Sequence, residues 1–313
     1  MDKRQFAFIK IIAWSVTAVI LITVLVLGLT GIWNWTSIGF GGGYFYTDSG
    51  KYQTGGAELD GKQIKDLDIN WINGNITVEV YDGETVQFFE KSHKDLKESE
   101  QLRYYSKDGK LIIQYRKAKR ALFSLGTNLR KELTVRIPEK TAETMGYIRI
   151  DTISADAKVK GITAERFNLD STSGNFSLSE CKSYTLSMDS TSGNLAGESL
   201  YVDDKLDADT TSGDVDVEGS FQYIDSDTVS GTITIMSQIC PQKVRTDSVS
   251  GDVILTIPEN SGFTYRKDSV SGSLECDFDV SQKEDMGIHK DGSASFHFDS
   301  VSGDIAILKL GKN

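Results

Sequence analysis

Hydrophobic and polar residues alternate along most of the chain after residue 150. Phe167, Leu169 and Ser171 share one face of the first clear example. Phe176 and Leu178 continue that face after a short polar interruption. Alternation with a period of two is typical of strands that bury one face. The second half of the chain is therefore predicted to be a succession of short strands.

The polar interruption is a five-residue motif, Asp-Ser/Thr-x-Ser-Gly. Its seven copies begin and end at Asp170 and Gly174, Asp189 and Gly193, Asp209 and Gly213, Asp227 and Gly231, Asp247 and Gly251, Asp268 and Gly272, and Asp299 and Gly303. A degenerate copy at Asp151 precedes them, and the steps from one Asp to the next are 19, 19, 20, 18, 20, 21 and 31 residues. The long last step predicts an insertion between Ser281 and Ser293.

One repeat cannot bury its apolar face alone, whereas stacked repeats form a continuous core. The fold class predicted is all-β, a parallel β-solenoid in which the motif forms the corner of each rung. Glycine is expected there because it adopts positive φ at little cost. The near-identity of the corners favours parallel stacking, which gives every copy the same environment. An antiparallel β-sandwich with two strands of about ten residues per repeat is the alternative.

The domain boundaries follow from these patterns. Residues 151–310 form the repeat β-domain, and residues 60–150 form an irregular β start to it. The segment Asn70–Asn75 reads as a divergent corner that leads into the alternating residues 76–80. A linker with a Gly-rich stretch, residues 31–59, precedes this start.

The N-terminal segment predicts a membrane anchor. Residues 11–29 form a run of nineteen residues without a charge, close to the ~20 apolar residues that a transmembrane helix needs. Basic residues precede the segment and none follows until Lys51, so residues 1–10 are expected to be a cytoplasmic tail and 11–30 a single span into the lipid bilayer. The C-terminal domain would then be extracellular. A cleaved signal peptide is the alternative, but its apolar core is usually shorter.

Charge is unevenly distributed. The net charge of −11 argues against nucleic-acid binding, which needs a basic surface. Residues 91–131 nevertheless hold twelve basic against four acidic residues, including the cluster Arg116, Lys117, Lys119 and Arg120. This cluster suggests contact with an anionic envelope polymer, and a membrane-protein partner is also considered. The competing interpretation is a solvated loop that pairs with the acidic repeats.

Parallel stacking would create two polar columns. The first holds Asp170, Asp189, Asp209, Asp227, Asp247 and Asp268, and the second holds Asn175, Asn194, Asp214, Asp252 and Asp304. Carboxylates about 5 Å apart repel by roughly 1 kcal/mol in water, so something should compensate them. Ca²⁺ is one candidate. The favoured interpretation is that each Asp caps backbone N–H groups of its own turn.

No residue is assigned a catalytic, cofactor-binding or metal-binding role. The Ser-x-Ser-Gly copies lack the Gly-x-Ser-x-Gly frame of a nucleophile elbow. The three cysteines, Cys181, Cys240 and Cys276, are odd in number and far apart, which argues against a disulfide framework. The protein is expected not to be an enzyme. A carbohydrate-active enzyme on a β-helix and a self-assembling structural element are the alternatives.

The corner at Asn70–Asn75, the Asp-Ser/Thr-x-Ser-Gly-Asp/Asn repeats and the N-terminal apolar segment together resemble the bacterial adhesin-like family defined by the domain of unknown function 4097, which includes LiaG-like envelope proteins. The resemblance covers roughly residues 60–310. It implies β-strand repeats at the surface of a Gram-positive cell and, for LiaG-like members, a link to envelope stress. It brings no catalytic residues.

Overall fold

The computed structural model describes residues 38–39, 43–118 and 129–311, and this part of the chain is built from strands. In chain order the strands are β1 (Ile38–Gly39), β2 (Gly43–Tyr44), β3 (Gln53–Thr54), β4 (Ala57–Asp60), β5 (Asp66–Tyr81), β6 (Thr85–Ser92), β7 (Arg103–Lys107), β8 (Lys110–Gln114), β9 (Lys131–Pro138), β10 (Met145–Lys160), β11 (Thr163–Ser171), β12 (Phe176–Ser179), β13 (Lys182–Ser190), β14 (Leu195–Thr210), β15 (Val215–Thr228), β16 (Ile233–Ser237), β17 (Lys243–Ser248), β18 (Val253–Ile257), β19 (Gly262–Ser271), β20 (Leu274–Cys276), β21 (Ser281–Lys283), β22 (Met286–Lys290), β23 (Ala294–Ser302) and β24 (Ile305–Lys309). The helical pieces in the same residues are two 3₁₀ turns, Ser49–Lys51 and Gly61–Gln63, and one α-helical turn, α1 (Glu139–Ala142).

The chain divides into two compact units. Residues 1–52 and 116–128 form the first, and residues 53–115 and 129–313 form the second. In the described part of the first unit, β1 and β2 pair as an antiparallel hairpin. The second unit contains all the repeats.

The repeats stack in parallel, as predicted, and not as antiparallel hairpins. Each rung holds one strand before the corner and one after it. Phe167 on β11 pairs with Leu186 on β13, and Leu186 pairs with Leu206 on β14. Beyond the corner, Phe176 on β12 pairs with Leu195 at the start of β14. Like residues are therefore neighbours from rung to rung.

The apolar positions of each rung point to the interior. Phe167, Leu169, Phe176 and Leu178 are each at most 1% exposed. Fully burying one such side chain stabilises a fold by roughly 1.5–3 kcal/mol. Because every rung contributes an equivalent set, the core runs continuously through the stack.

The order of the last rungs differs from the order of the sequence. The rung of β23 and β24 lies between the rung of β17 and β18 and the rung of β19 and β20. The predicted insertion supplies β21 and β22, and β22 runs antiparallel along the outer edge of β19. The insertion thus covers a strand edge that would otherwise be open to pairing with another chain.

The irregular start, residues 60–150, closes the other end. β8 and β9 pair in parallel with the two halves of β5, which itself pairs with β10. β7 and β6 then pair antiparallel with β8 and β9, and β3 and β4 follow outside them. The divergent corner is aligned with the repeats, since Asn70 pairs with Asp151 and Gly74 with Ala155.

The predicted localisation, a single-pass protein of the cell membrane with a cytoplasmic N-terminus, requires correction. In residues 38–39, 43–118 and 129–311, the structure contains no helix with the length and apolar character needed to cross a bilayer. The segment on which the prediction rested, residues 11–30, lies outside the described residues.

Candidate functional site

In four of the seven copies the corner is held by the second residue of the motif, not by its Asp. The Ser171 hydroxyl accepts the backbone N–H of Gly174 at 2.6 Å, and the Ser190 hydroxyl accepts that of Gly193 at 2.8 Å. Thr210 and Ser248 make the same bond at 2.9 and 3.0 Å. These hydroxyls are buried, so each bond satisfies a donor that water does not reach. The prediction that Asp caps its own turn is therefore wrong.

The motif glycines are required by close approach of the rungs. A Cβ placed on Gly193 would fall on the carbonyl oxygen of Gly174, and the same clash recurs with the preceding rung at all seven copies. Glycine was predicted at these positions because it adopts positive φ at little cost. Among the seven motif glycines, only Gly272 and Gly303 have a positive φ. The glycines form a column because no side chain fits between stacked corners.

The motif aspartates form the predicted column on the outer face. In spatial order it runs Asp151, Asp170, Asp189, Asp209, Asp227, Asp247, Asp299 and Asp268. The Asp209 carboxylate accepts the backbone N–H of Asp227 at 2.9 Å, and the Asp227 carboxylate accepts that of Asp247 at 3.1 Å. In the middle of the column, the carboxylates therefore bond the next rung.

The residue two positions before each Asp decides how its charge is balanced. Arg149, Arg245 and Arg266 form ion pairs with Asp151, Asp247 and Asp268 at 2.8–3.0 Å. Asn168, Ser187 and His297 occupy the same place beside Asp170, Asp189 and Asp299. In the two middle rungs this position is again acidic, Asp207 and Asp225, and a single Lys205 pairs with both, at 3.1 and 2.9 Å.

This excess of carboxylates shifts the titration of the column. Burial, followed by the charges of Asp227, Asp207 and Asp189, raises the pKa of Asp209 to about 8. Burial and neighbouring carboxylates raise the pKa of Asp170 to about 7. The pKa values of Asp189 and Asp227 rise to about 6 for the same reasons. The middle of the column thus holds protons near neutral pH.

The second column is a hydrogen-bonded ladder. The Asn175 side-chain oxygen accepts the backbone N–H of Asn194 at 2.8 Å, and the Asn194 oxygen accepts that of Asp214 at 3.0 Å. Asp252 accepts from Asp304 in the same way, at 2.8 Å. Each side chain satisfies a donor of the next rung, so this column serves the stack itself.

One part of the first column combines residue types that bind metals. Ligand atoms of Asp268, His297 and Asp299 lie within 4.8 Å of one another in the described chain. The Arg266 guanidinium already lies 3.0 Å from Asp268, which opposes a further cation. A histidine is also not a usual Ca²⁺ ligand. The calcium hypothesis for the aspartate column stays a prediction.

The predicted basic cluster is only half within the described residues. Arg116 and Lys117 belong to the first unit, where the Arg116 guanidinium lies 5.8 Å from the ring centroid of Tyr44. Lys119 and Arg120 lie outside the described residues. The anionic-surface role of these four residues stays a prediction.

A cleft that sequence reasoning missed lies at the N-terminal end of the stack. It has a volume of about 400 Å³ and is lined by the middle of β5, the end of β6 and the start of β9, including Asn75, Lys91, His93, Arg130 and Glu132. Glu132 is the direct cross-strand neighbour of both Asn75 and Lys91. Among the ion pairs of the described residues, neither Lys91 nor Arg130 takes part in any.

The floor of this cleft is fixed by Lys131, whose side chain is fully buried. Its ammonium lies 2.6 Å from the Glu90 carboxylate and donates to the carbonyl oxygens of Glu100 and Tyr115. It also sits 4.8 and 4.2 Å from the ring centroids of Trp71 and Tyr115. Removing one partner of a buried ion pair is strongly destabilising, so this lysine is structural. Arg130 and Lys91 are therefore presented from a rigid base.

Comparison with known proteins gives one family and several solved structures. The family model described as Toastrack DUF4097 matches residues 64–308. A crystal structure of a candidate lipid-binding protein from Parabacteroides distasonis is 16% identical, with 83% of this chain and 98% of that chain covered and a TM-score of 0.47. A candidate adhesin from Bacteroides fragilis is 12% identical, with 82% and 97% covered and a TM-score of 0.44. A candidate cell adhesion protein from Clostridium sporogenes is 15% identical, with 83% and 100% covered and a TM-score of 0.28. No curated protein matches the chain.

Proposed function

The chain belongs to the Toastrack DUF4097 family, and we propose that it is a non-catalytic, adhesin-type binding protein that holds an anionic polymer of the bacterial cell envelope. The observation that carries the proposal is the cleft at the N-terminal end of the stack. Lys91 and Arg130 line this cleft, and neither takes part in an ion pair among the described residues. His93 also lines the cleft.

The chemistry of the cleft suits an anion. Lysine supplies a point charge with three donors, and arginine supplies a planar fork that matches phosphate and carboxylate oxygens. Glu132 offsets one of these charges, so the cleft holds one or two anionic groups rather than a dense cluster. A polymer with regularly spaced phosphates would place one group here and its neighbours beyond the rim.

The predicted basic cluster is a second source of cations, proposed for the same kind of ligand. Arg116, Lys117, Lys119 and Arg120 lie between Tyr115 and Leu129, and the Tyr115 hydroxyl donates to the Leu129 carbonyl. Attraction of exposed charges acts over a Debye length, about 8 Å at physiological salt. A long polyanion is expected to be attracted by these cations as well.

The non-catalytic part of the proposal is supported by how the motif groups are used. The buried hydroxyls bond the corner glycines, and Asp209 and Asp227 bond the next rung. His289 is buried against Phe263 and Phe278, with its Nδ1 2.8 Å from the Asp279 carbonyl. The link to an envelope-stress response, which the family resemblance implies, stays a prediction.

Sedimentation with isolated cell wall tests the proposal. We expect the double variant Lys91→Gln/Arg130→Gln to lose most of the cosedimentation of the wild-type chain, and neutralising Arg116, Lys117, Lys119 and Arg120 to weaken it further. Lys140→Gln/Lys158→Gln removes the same charge from exposed sites elsewhere and serves as the control. Equal sedimentation of all variants would reject the anionic-polymer proposal, and degradation of the wall during the assay would reject its non-catalytic part.

A further inference from the structure

Three exposed tyrosines lie on three successive rungs. Tyr184, Tyr201 and Tyr223 are 59%, 48% and 38% exposed, and they are the most exposed large aromatic side chains of the described residues. Neighbouring rungs are about 4.8 Å apart. The register places Tyr201 beside Lys182, two residues before Tyr184, and Tyr223 beside Lys205. In the register of the rungs, the three tyrosines therefore lie within about three residues of one another on neighbouring strands.

Tyr184 and Tyr223 lie at a bend that the rungs share, and Tyr201 is the outward residue just before it. Two consecutive residues face outward between buried neighbours, as Tyr184 and Thr185 do between Ser183 and Leu186. In the next-but-one rung, Gln222 and Tyr223 occupy the same place. The bend thus forms a ridge along the stack, here called the tyrosine ridge. It consists of Tyr184, Tyr201, Asp203, Asp204, Gln222 and Tyr223.

The middle rung of the ridge carries an extra residue. Asp203 and Asp204 stand opposite the single Tyr184 on one side and the single Gln222 on the other. The same residue lengthens the step from Asp189 to Asp209 to 20. A bulge re-aims side chains and is frequent next to functional sites. The break in the repeat and the exposed aromatic rings occur at the same place.

Polar groups are ordered beside the rings. The Tyr223 hydroxyl donates to the Gln242 side-chain oxygen at 2.9 Å, and the Gln242 amide donates to the Gln222 oxygen at 3.1 Å. Tyr184 and Tyr201 make no such bond within the described chain. Two rings thus remain available for stacking, next to amides and carboxylates that accept hydroxyl hydrogens.

We infer that the tyrosine ridge binds a neutral glycan chain that runs across the three rungs. Sugar rings offer an apolar face to aromatic side chains and hydroxyl donors to Gln and Asp. The spacing of the rungs is comparable to the length of one sugar residue, so a chain that crosses the rungs can meet one tyrosine on each of them. Asp203 and Asp204 repel a polyanion, which separates this ligand from the polymer proposed for the cleft.

The inference rests on the proposed function in one respect, that the chain is a binding protein, but it uses another surface and a ligand of different charge. Tests should use the full chain and a soluble neutral probe, chitotetraose or a linear β-glucan oligosaccharide, followed by calorimetry and by tyrosine fluorescence. We expect Tyr184→Ala/Tyr201→Ala to weaken binding at least tenfold. Tyr184→Phe/Tyr201→Phe should retain most of it, because stacking needs the ring and not the hydroxyl.

The matched control is Met286→Ala/Ile288→Ala, which removes the other two exposed large hydrophobic side chains of the described residues, both on β22. Deleting Asp204 restores a 19-residue step, and we expect this variant to fold and to lose binding. The inference would be overturned if the wild-type chain bound neither probe, or if the alanine variants bound as tightly as the wild type. Binding of a protein, and of no glycan, at the ridge would also overturn it. Affinity for inorganic polyphosphate, measured for the same variants, distinguishes the sites: it should depend on Lys91 and Arg130 and not on the tyrosines.

Discussion

The Asp209 carboxylate accepts the backbone N–H of Asp227, the equivalent residue of the next rung, at 2.9 Å. The same carboxylate is buried among Asp227, Asp207 and Asp189, which together with burial raises its pKa to about 8. The motif aspartate at this position thus bonds the next rung. Because the motif repeats it, negative charge builds up along the stack.

This accumulation predicts a folded domain that loses stability as the pH rises. The pKa values of Asp170, Asp189, Asp209 and Asp227 lie at about 6 to 8 in the fold, against about 3.9 in an unfolded chain. Between these pKa values the folded state binds more protons than the unfolded state. The contribution of the column aspartates to stability is therefore complete below about pH 4 and is lost as the pH passes through 6 to 8. Urea unfolding at pH 5 and pH 8 checks it, with the midpoint expected to be higher at pH 5. A higher midpoint at pH 8 would contradict the prediction.

Asp209→Asn should stabilise the domain at pH 8 and reduce the difference between pH 5 and pH 8. Asparagine keeps an oxygen that can accept the Asp227 N–H but carries no charge. Thermal unfolding of the variant at both pH values measures the effect. Asp216→Asn, at an exposed position on β15, removes one charge outside the column and should leave the pH dependence as it is in the wild type.

Gly193→Ala should destabilise the domain by at least about 3 kcal/mol, because its methyl group would overlap the Gly174 carbonyl and push two rungs apart. The free energy of unfolding in urea gives the magnitude. Gly50→Ala is the control, since no atom lies within 4 Å of the added Cβ and that backbone is not left-handed. A Gly193→Ala variant as stable as the control would mean that the corners do not stack as described.

Ser190→Ala should cost roughly 1–2 kcal/mol, since it leaves the buried N–H of Gly193 without its acceptor. Ser177→Ala, at an outward position of β12, should change stability by less than about 0.5 kcal/mol. Chemical unfolding compares the two. If both variants lose the same free energy, the hydroxyl of the motif has no special role in the corner.

Much of the stack could be predicted from the sequence, because its information is local and repeated. The alternation at Phe167 and Leu169 specified which face is buried, and the constant spacing specified the parallel stacking. Glycine was expected at the corners, but for the wrong reason. The backbone conformation at Gly193 is compatible with other residues, and only the neighbouring rung, which a single repeat does not contain, excludes a side chain there.

The order of the last two rungs could not be predicted from the motif. The copies at Asp268 and Asp299 read Asp-Ser-Val-Ser-Gly in both cases, so either can stack on the copy at Asp247. The antiparallel strand β22 occupies the outer edge of β19, which leaves β23 as the neighbour of β17. That choice depends on pairing between segments and not on the corner sequence.

The two candidate sites differ in how far they could be predicted from the sequence. The cleft joins residues 74–75, 91–93 and 130–132, which are far apart in sequence and share no motif. Its only signal was the excess of basic residues between 91 and 131. The tyrosine ridge had a signal that could have been used, since the 18-residue step after Asp209 is the shortest of the seven and follows a longer one of 20.

The proposal that an anionic polymer binds at the cleft is tested most directly by the affinity of the full chain for a long inorganic polyphosphate, measured at 50 and 200 mM salt. Wild-type chain should bind more weakly at the higher salt, because counterions are released on binding. Lys91→Gln/Arg130→Gln should bind about tenfold more weakly than wild type at 50 mM salt and show a smaller salt dependence. Equal affinity and equal salt dependence of the two proteins would contradict the proposal.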